Sequence, residues 1–539
     1  MSDTYIGLTI GPIFDTLSLA FTPAALWAGS YLFSSLTRTI CELLVSDYYS
    51  IPMENIVSPY YDPEEELLNR KDGVGLFHDR VIFRVDESHP FDIKQLENLR
   101  SEALWKISEE FTIANDYLDT KTMYDYLNEY IMVSGCRYTD TNAILGSAKR
   151  LDSLELAKPF VQQEEINALF AIFVNEGSEN TNRRIRELPA VRKLEHWQLL
   201  NKDGSIRSLP DIASNGVPTE KQQKKHNYYA IVRSDGDRMG KILEKLNSDD
   251  EIRQYSRTCL QFCSKIAETV SLYGGITIYS GGDDLLAILP LESKSSSEIP
   301  DLFSFLKKAG EIFKDSFKGL FEALNAANKT DTVNKMKIFD LENDLPTLSF
   351  GVSVYYNKFP LYEALQDSQY LLFGVAKDRS SDADRHDCTA IRFQKHAGQS
   401  EGLLIQNEAL NELIALKEII DRGVTDDNGS TVILSALHKL SAFDRFYMAA
   451  QDETSVTNLF NNFFDADSQS RNSFLKKELP KHFNKLRTSA KIDLLPDYRR
   501  EYLREKGLPE DNKDPLPVPV LCYLLRIFKL YKERIGEKT

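Results

Sequence analysis

Two hydrophobic periods alternate along this chain, and the switches between them mark out its elements. A nearly continuous apolar run over residues 5–10 reads as a strand closed by Gly11-Pro12. A helical pattern follows through Leu26-Trp27-Ala28-Gly29-Ser30-Tyr31-Leu32 to about residue 44. A β-hairpin is expected around 73–85, a helix over 91–113 and a strand over 130–134, an order compatible with a ferredoxin-like sheet. Residues 141–188 again carry a helical pattern. The stretch 201–223 is polar, contains Gly, Ser and Pro, and is the strongest boundary in the sequence.

A second αβ unit occupies 227–398. Its expected elements are a strand ending at Asp235, a helix over 252–271, a hairpin at Gly281-Gly282, a helix over 302–327, a strand over 347–355, a helix over 361–377 and a strand over 389–393. This β-α-β-β-α-β order repeats that of the first unit and suggests a diverged internal duplication. Beyond Glu401 the patterns are amphipathic and helical, with no strand signal. Four segments result: 1–139, 140–223, 224–400 and a helical 401–539.

At 539 residues, with 42% hydrophobic and 27% charged positions, the chain has the make-up of a soluble protein of about three or four domains. No apolar window approaches the ~20 residues of a membrane span, and no leader pattern opens the sequence, so a cytoplasmic protein is expected. The six cysteines are dispersed and form no Cys-x-x-Cys pair, which predicts buried thiols and no zinc. A net charge of −16 argues against a free-standing nucleic-acid binder and confines any RNA contact to local basic patches.

Candidate chemistry concentrates in two places. Tyr279-Ser280-Gly281-Gly282-Asp283-Asp284-Leu285-Leu286 sets two carboxylates on a glycine-made turn between apolar strands. Glycine lets a triphosphate approach the backbone, and carboxylate oxygens suit Mg²⁺. Upstream, Tyr228-Tyr229-Ala230-Ile231-Val232-Arg233-Ser234-Asp235-Gly236-Asp237 ends a strand in an Asp-x-Asp and passes into a helix at Arg238-Met239-Gly240-Lys241. Two-metal phosphoryl chemistry needs carboxylates from separate strand ends converging on cations roughly 4 Å apart, which Asp235, Asp283 and Asp284 satisfy. Either Asp235 or Asp237 could cap the helix starting near Arg238, and Asp237 fits the cap better than Asp235.

These motifs, with Ile10-Gly11-Pro12-Ile13, Thr347-Leu348-Ser349-Phe350-Gly351, Pro360-Leu361-Tyr362-Glu363-Ala364-Leu365 and Ala376-Lys377, resemble the large palm-domain subunit of type III-B (Cmr-type) CRISPR RNA-guided effector complexes. The resemblance spans nearly the whole chain and keeps motif order. It implies an α+β fold of two ferredoxin-like palm domains, the second active, with a helical insert and a helical C-terminal domain. It further implies ATP as substrate, Mg²⁺ or Mn²⁺ as cofactor, and neighbouring effector subunits, guide RNA and target RNA as partners. On that basis Asp235, Asp283 and Asp284 hold the metals, Ser280, Gly281, Gly282 and Ser349 meet the nucleotide, and Lys377 neutralises the triphosphate. The product implied is a cyclic oligoadenylate or an AMP conjugate of S-adenosylmethionine. The chain departs from many such subunits in starting at the first palm, without a histidine-aspartate nuclease domain, and in lacking a zinc ribbon, whose place a helical insert is expected to take. His78-Asp79 and His386-Asp387 lack the companion histidines of a nuclease site, and the 71–80 loop is a candidate wall of an acceptor site. A diguanylate-cyclase-like enzyme and a catalytically silent scaffold are the competing readings.

Overall fold

The computed structural model describes residues 3–65, 75–92, 94–112, 119–156, 199–201, 205–215, 227–293, 296–328, 338–378, 386–396, 398–423, 437–438, 452–463, 477–485 and 491–535. Most of the expected helical insert and the 71–74 part of the acceptor-wall loop lie outside these residues.

The first sheet contains β1 (Asp3–Gly11), β2 (Ile56–Ser58), β3 (Arg80–Val85) and β4 (Met132–Asp140), all antiparallel in the order β2-β3-β1-β4. The second has seven strands: β5 (Tyr228–Gly236), β6 (Ile276–Gly281), β7 (Asp284–Pro290), β8 (Leu348–Tyr356), β9 (Cys388–Gln394), β10 (Ser400–Gln406) and β11 (Ile492–Leu494). Their order is β11-β10-β9-β8-β5-β7-β6. The block β8-β5-β7-β6 repeats the first sheet strand for strand, since β5 to β8 correspond to β1, β2, β3 and β4. Both units are therefore ferredoxin-like, as the matching element orders in the sequence imply.

Between the two sheets lies the helix Pro23–Leu44. Thr22 starts it, accepting a hydrogen bond from Ala25 N at 3.1 Å, with Pro23 at the first helical position. A helix that is apolar nearly all round must be covered nearly all round. Its Leu26, Trp27, Leu36 and Ile40 are almost fully buried, in one core with Ile276, Ile278, Leu286 and Ile288 of the second sheet. The opposite face of that sheet packs on the helices Asp249–Tyr273 and Leu302–Asn328 through Phe262, Phe303, Phe313 and Phe317. Ser248 caps the first of these helices, accepting from Glu251 N, and Gly274 ends it in the left-handed conformation.

Two expectations are corrected. The hairpin around 73–85 is a single strand, β3. Upstream of it Phe77 N donates to Ser34 Oγ at 2.9 Å, and Gly75 O accepts from Ser280 N at 3.2 Å. That segment bonds to the helix beneath it and to the second palm, and among the described residues it has no sister strand. The region after Glu401 is not purely helical either, because β10 and β11 extend the second sheet from β9. The helix Pro517–Ile535 adds Leu521, Leu525 and Phe528 to the same core.

Candidate active site

The site grows from the middle of the second sheet. Strand β5 runs through buried Tyr229, Ala230, Ile231 and Val232, then turns polar where it leaves the core. On one side Asp235 pairs with Ser349 of β8, and on the other Ser234 pairs with Leu285 of β7. One further antiparallel step sets Asp284 beside Asp235 and Asp283 beside Gly236. Alternation of side chains then sends Asp235 and Asp284 to the face that meets the first palm, and Asp283 to the face that meets the helices.

The hairpin that carries these carboxylates turns one residue later than the sequence suggests. Gly281 pairs with Asp284, so the turn residues are Gly282 and Asp283 in place of the expected Gly281 and Gly282. Gly282 has φ of +67° while Asp283 stays out of the left-handed region, the pattern of a type II′ turn. Gly236 is required for a different reason. A Cβ there would stand 2.7 Å from Asp283 Oδ2 and 2.9 Å from its Cβ, and the Gly236 N–H bonds that carboxylate.

Burial sets the electrostatics of the turn. Desolvation pushes Asp283 up to about 6, against hydrogen bonds from its own and Gly236 N–H groups that pull it down. Asp284 is raised well above the carboxylate range by desolvation and by Asp283, with Arg233 opposing. Arg233 lies two residues before Asp235 on β5. Its buried Nε has no hydrogen-bond partner among the described residues, nor has the neighbouring Ser234 Oγ. An arginine inside Ile231-Val232-Arg233-Ser234 is the anomaly that marks this residue in the sequence.

Lys377 and Asp237 brace the strand end. Lys377, 8% exposed, pairs with Asp235 Oδ2, donates to Gly236 O at 2.8 Å and stands 3.4 Å from Asp237 Oδ1. Asp237 does not cap the following helix, Met239–Leu243, whose N-cap is Arg238 at φ +64°. Its carboxylate instead accepts from Ser349 Oγ at 2.9 Å, Thr347 Oγ1 at 2.9 Å and Asp387 N at 2.9 Å. Ser349, expected to meet the nucleotide, is fully buried, and its hydroxyl is committed to Asp237. Ser280 is likewise buried, with its hydroxyl on Cys263 O at 3.4 Å.

Two cavities meet at the hairpin. One, of about 390 Å³, lies between the palms and is walled by Arg233, Asp284, Asp79, Glu155 and the partly exposed rings of Phe14 and Phe373. The other, of about 300 Å³, holds His78, Tyr255, Cys259 and Asp283. His78-Asp79 thus sits against the catalytic candidates. Burial pushes His78 down to about 4, with Arg80 adding to the effect, and Cys263 beneath the turn is pushed up to about 12 by burial. All six cysteines are unpaired with one another.

Among the described residues, no three His, Cys, Asp or Glu side chains form a group that could hold a metal ion. The opposite facing of Asp283 and Asp284, and the lysine on Asp235, account for that. The donor set still suits a hard divalent cation: it is all carboxylate oxygen, and burial raises two of its members, a cost that a cation would offset.

Residues 228–385 match the family described as Cas10/Cmr2, second palm domain. The CRISPR system Cmr subunit Cmr2 of Pyrococcus furiosus is 27% identical over 198 residues, which is 32% of this chain and only 19% of that relative's length. Among solved structures, the apo type III-B Cmr-beta complex aligns over 99% of this chain and 82% of its own at a TM-score of 0.55 and 12% identity. A Csm1–Csm4 cassette in complex with cA4 aligns over 98% and 70% at a TM-score of 0.52 and 13% identity. Csm1 of T. onnurineus aligns over 98% and 69% at 0.52 and 14%. Among the described residues no helix is long and apolar enough to cross a membrane. Residues 228–385 are thus similar to the Cas10/Cmr2 second palm domain, and the chain as a whole has the fold of the Cmr-beta and Csm1 structures.

Proposed function

We propose that the second palm is a metal-dependent nucleotidyltransferase that uses ATP to make an adenylate second messenger, within a type III CRISPR effector complex. One observation carries this reading: the end of β5 and the β6–β7 turn bring Asp235, Asp283 and Asp284 to one edge of the sheet, with Lys377 and Arg233 beside them. The Csm1–Csm4 cassette similar to this chain is known in complex with cA4, a product of the kind proposed.

In this reading Asp235, Asp283 and Asp284 hold Mg²⁺ or Mn²⁺, which would polarise the phosphoryl oxygens and activate the attacking group. Gly281 and Gly282 admit the triphosphate to the backbone. Lys377 neutralises developing charge on the phosphates, and Ser349 fixes Asp237, which holds Lys377 in place. Attack of the acceptor on the α-phosphorus forms the new ester bond and releases pyrophosphate. The acceptor occupies the cavity between the palms. A second ATP there gives a 3′–5′ oligoadenylate. The rings of Phe14 and Phe373 beside Asp79 suit a cationic acceptor, and S-adenosylmethionine, which has that charge, is the other candidate for this cavity. Guide RNA, target RNA and the other effector subunits are the proposed partners.

The test is assembly with guide RNA and partner subunits, followed by target RNA, Mg²⁺ and labelled ATP with and without S-adenosylmethionine. Mass spectrometry should find an ATP-derived product. Oligoadenylates identify a polymerase-cyclase, an adduct requiring S-adenosylmethionine identifies a conjugating transferase, and no product in any condition leaves the chain a scaffold.

A further inference from the structure

The backbone that carries Lys377 is fixed by the segment before it. The helix Leu361–Gln369 runs into a π-helical segment, Tyr370–Ala376, and Lys377 N closes that segment on Leu372 O at 2.8 Å, a five-residue span. A wide turn of this kind changes which way the following side chain points, and such turns recur at functional sites. The segment is pressed against β8, where a Cβ on Gly351 would stand 2.2 Å from Ser368 O and 2.5 Å from Leu372 N. The lysine backbone is therefore fixed, and its Nζ is delivered to Asp235 Oδ2 and Gly236 O.

Asp235 Oδ2 is also an oxygen that a metal would need. An ammonium and a divalent cation cannot both occupy it at contact distance. Lysine, unlike arginine, carries a compact charge on a flexible four-carbon stem, so Nζ can leave while the backbone stays in place. We propose that Lys377 is a latch: without nucleotide it holds Asp235 as an internal counter-ion, and a bound triphosphate draws it off, opening Asp235 to the metal. This inference rests on the nucleotidyltransferase reading of the same site and adds an order of events to it. Metal and nucleotide then bind with positive coupling, because each favours the state in which Lys377 has left Asp235.

The latch is tested by counting bound Mn²⁺ with electron paramagnetic resonance on the full chain, with and without a non-hydrolysable ATP analogue. Lys377→Met should bind Mn²⁺ at least about fivefold more tightly than the wild type when the analogue is absent, the lower end of ordinary coupling factors. The analogue should tighten Mn²⁺ binding in the wild type, and by a smaller factor in Lys377→Met. A wild type that takes Mn²⁺ with the analogue, beside a Lys377→Met variant no tighter without it, overturns the latch and leaves the transferase reading standing. No Mn²⁺ binding by either protein, with or without the analogue, overturns both. Should Lys377→Met fail to fold, the wild type decides: equal Mn²⁺ affinity with and without the analogue sinks the latch.

Discussion

Individual side chains at the site are held in states that water would not favour. Asp283 ordinarily titrates at 3.8 and is raised to about 6, so the folded protein binds its proton more tightly than the unfolded chain does. Stability linked to this group is therefore full below pH 4, falls as the pH rises toward 6, and stays low above it. Replacing Asp283 and Asp284 together by Asn should abolish product formation yet raise the metal-free melting temperature at pH 7.5, by on the order of 1–2 kcal/mol of added stability. A lower melting temperature would show that the carboxylates are compensated in the folded state. His78 works in the opposite sense. Its Nδ1 accepts from Arg80 N at 3.3 Å and its Nε2 lies 3.1 Å from Ser58 Oγ. With its value lowered from 6.5 to about 4, its contribution is present above pH 6.5 and lost as the pH falls toward 4. Urea unfolding at pH 7 and pH 4.5 should show an acid loss of as much as about 3 kcal/mol that His78→Gln lacks.

At the scale of elements, the contact between β5 and the β6–β7 turn is the critical one. Gly236→Ala places a methyl group into Asp283 and should cost about 1–3 kcal/mol along with loss of activity. Gly240→Ala, with nothing within 4 Å of its new methyl, should leave both nearly unchanged. Differential scanning fluorimetry with the product assay separates the two variants. These elements are also where the sequence is most and least legible. Apolar runs bounded by glycine and aspartate announce β5, β6 and β7, and the spacing of acidic residues announces the site. The role of Asp237 does not show, because its partners Thr347 and Asp387 lie 110 and 150 residues away and only the fold joins them. A local pattern favours the nearby helix start, which Arg238 takes instead. β11 escapes for a related reason, since a strand of three residues has too short a run to declare a period and is specified by its partner β10.

Across the whole molecule the two palms are not separable bodies. Tyr229, Ile231, Ile278 and Ile288 of the second palm share a core with Ile6, Leu8, Trp27 and Leu36 of the first. A fragment beginning at residue 227 would expose that face of its sheet. We expect it to aggregate or to digest far faster than the full chain under limited proteolysis; a fragment that melts cooperatively at the full chain's temperature would contradict this.

The same arrangement bears on how the turn is held. β6 is the last strand of its sheet, and where the next strand would lie it meets Gly75 O, which accepts from Ser280 N at 3.2 Å. The residue that donates this bond immediately precedes Gly281, which closes the β6–β7 turn by pairing with Asp284. A lever rests against its load at one point, and here that point belongs to the other half of the molecule. A shift of the first palm along β6 has to stretch or exchange this bond, so displacement arrives at the turn without passing through the hydrophobic core at all.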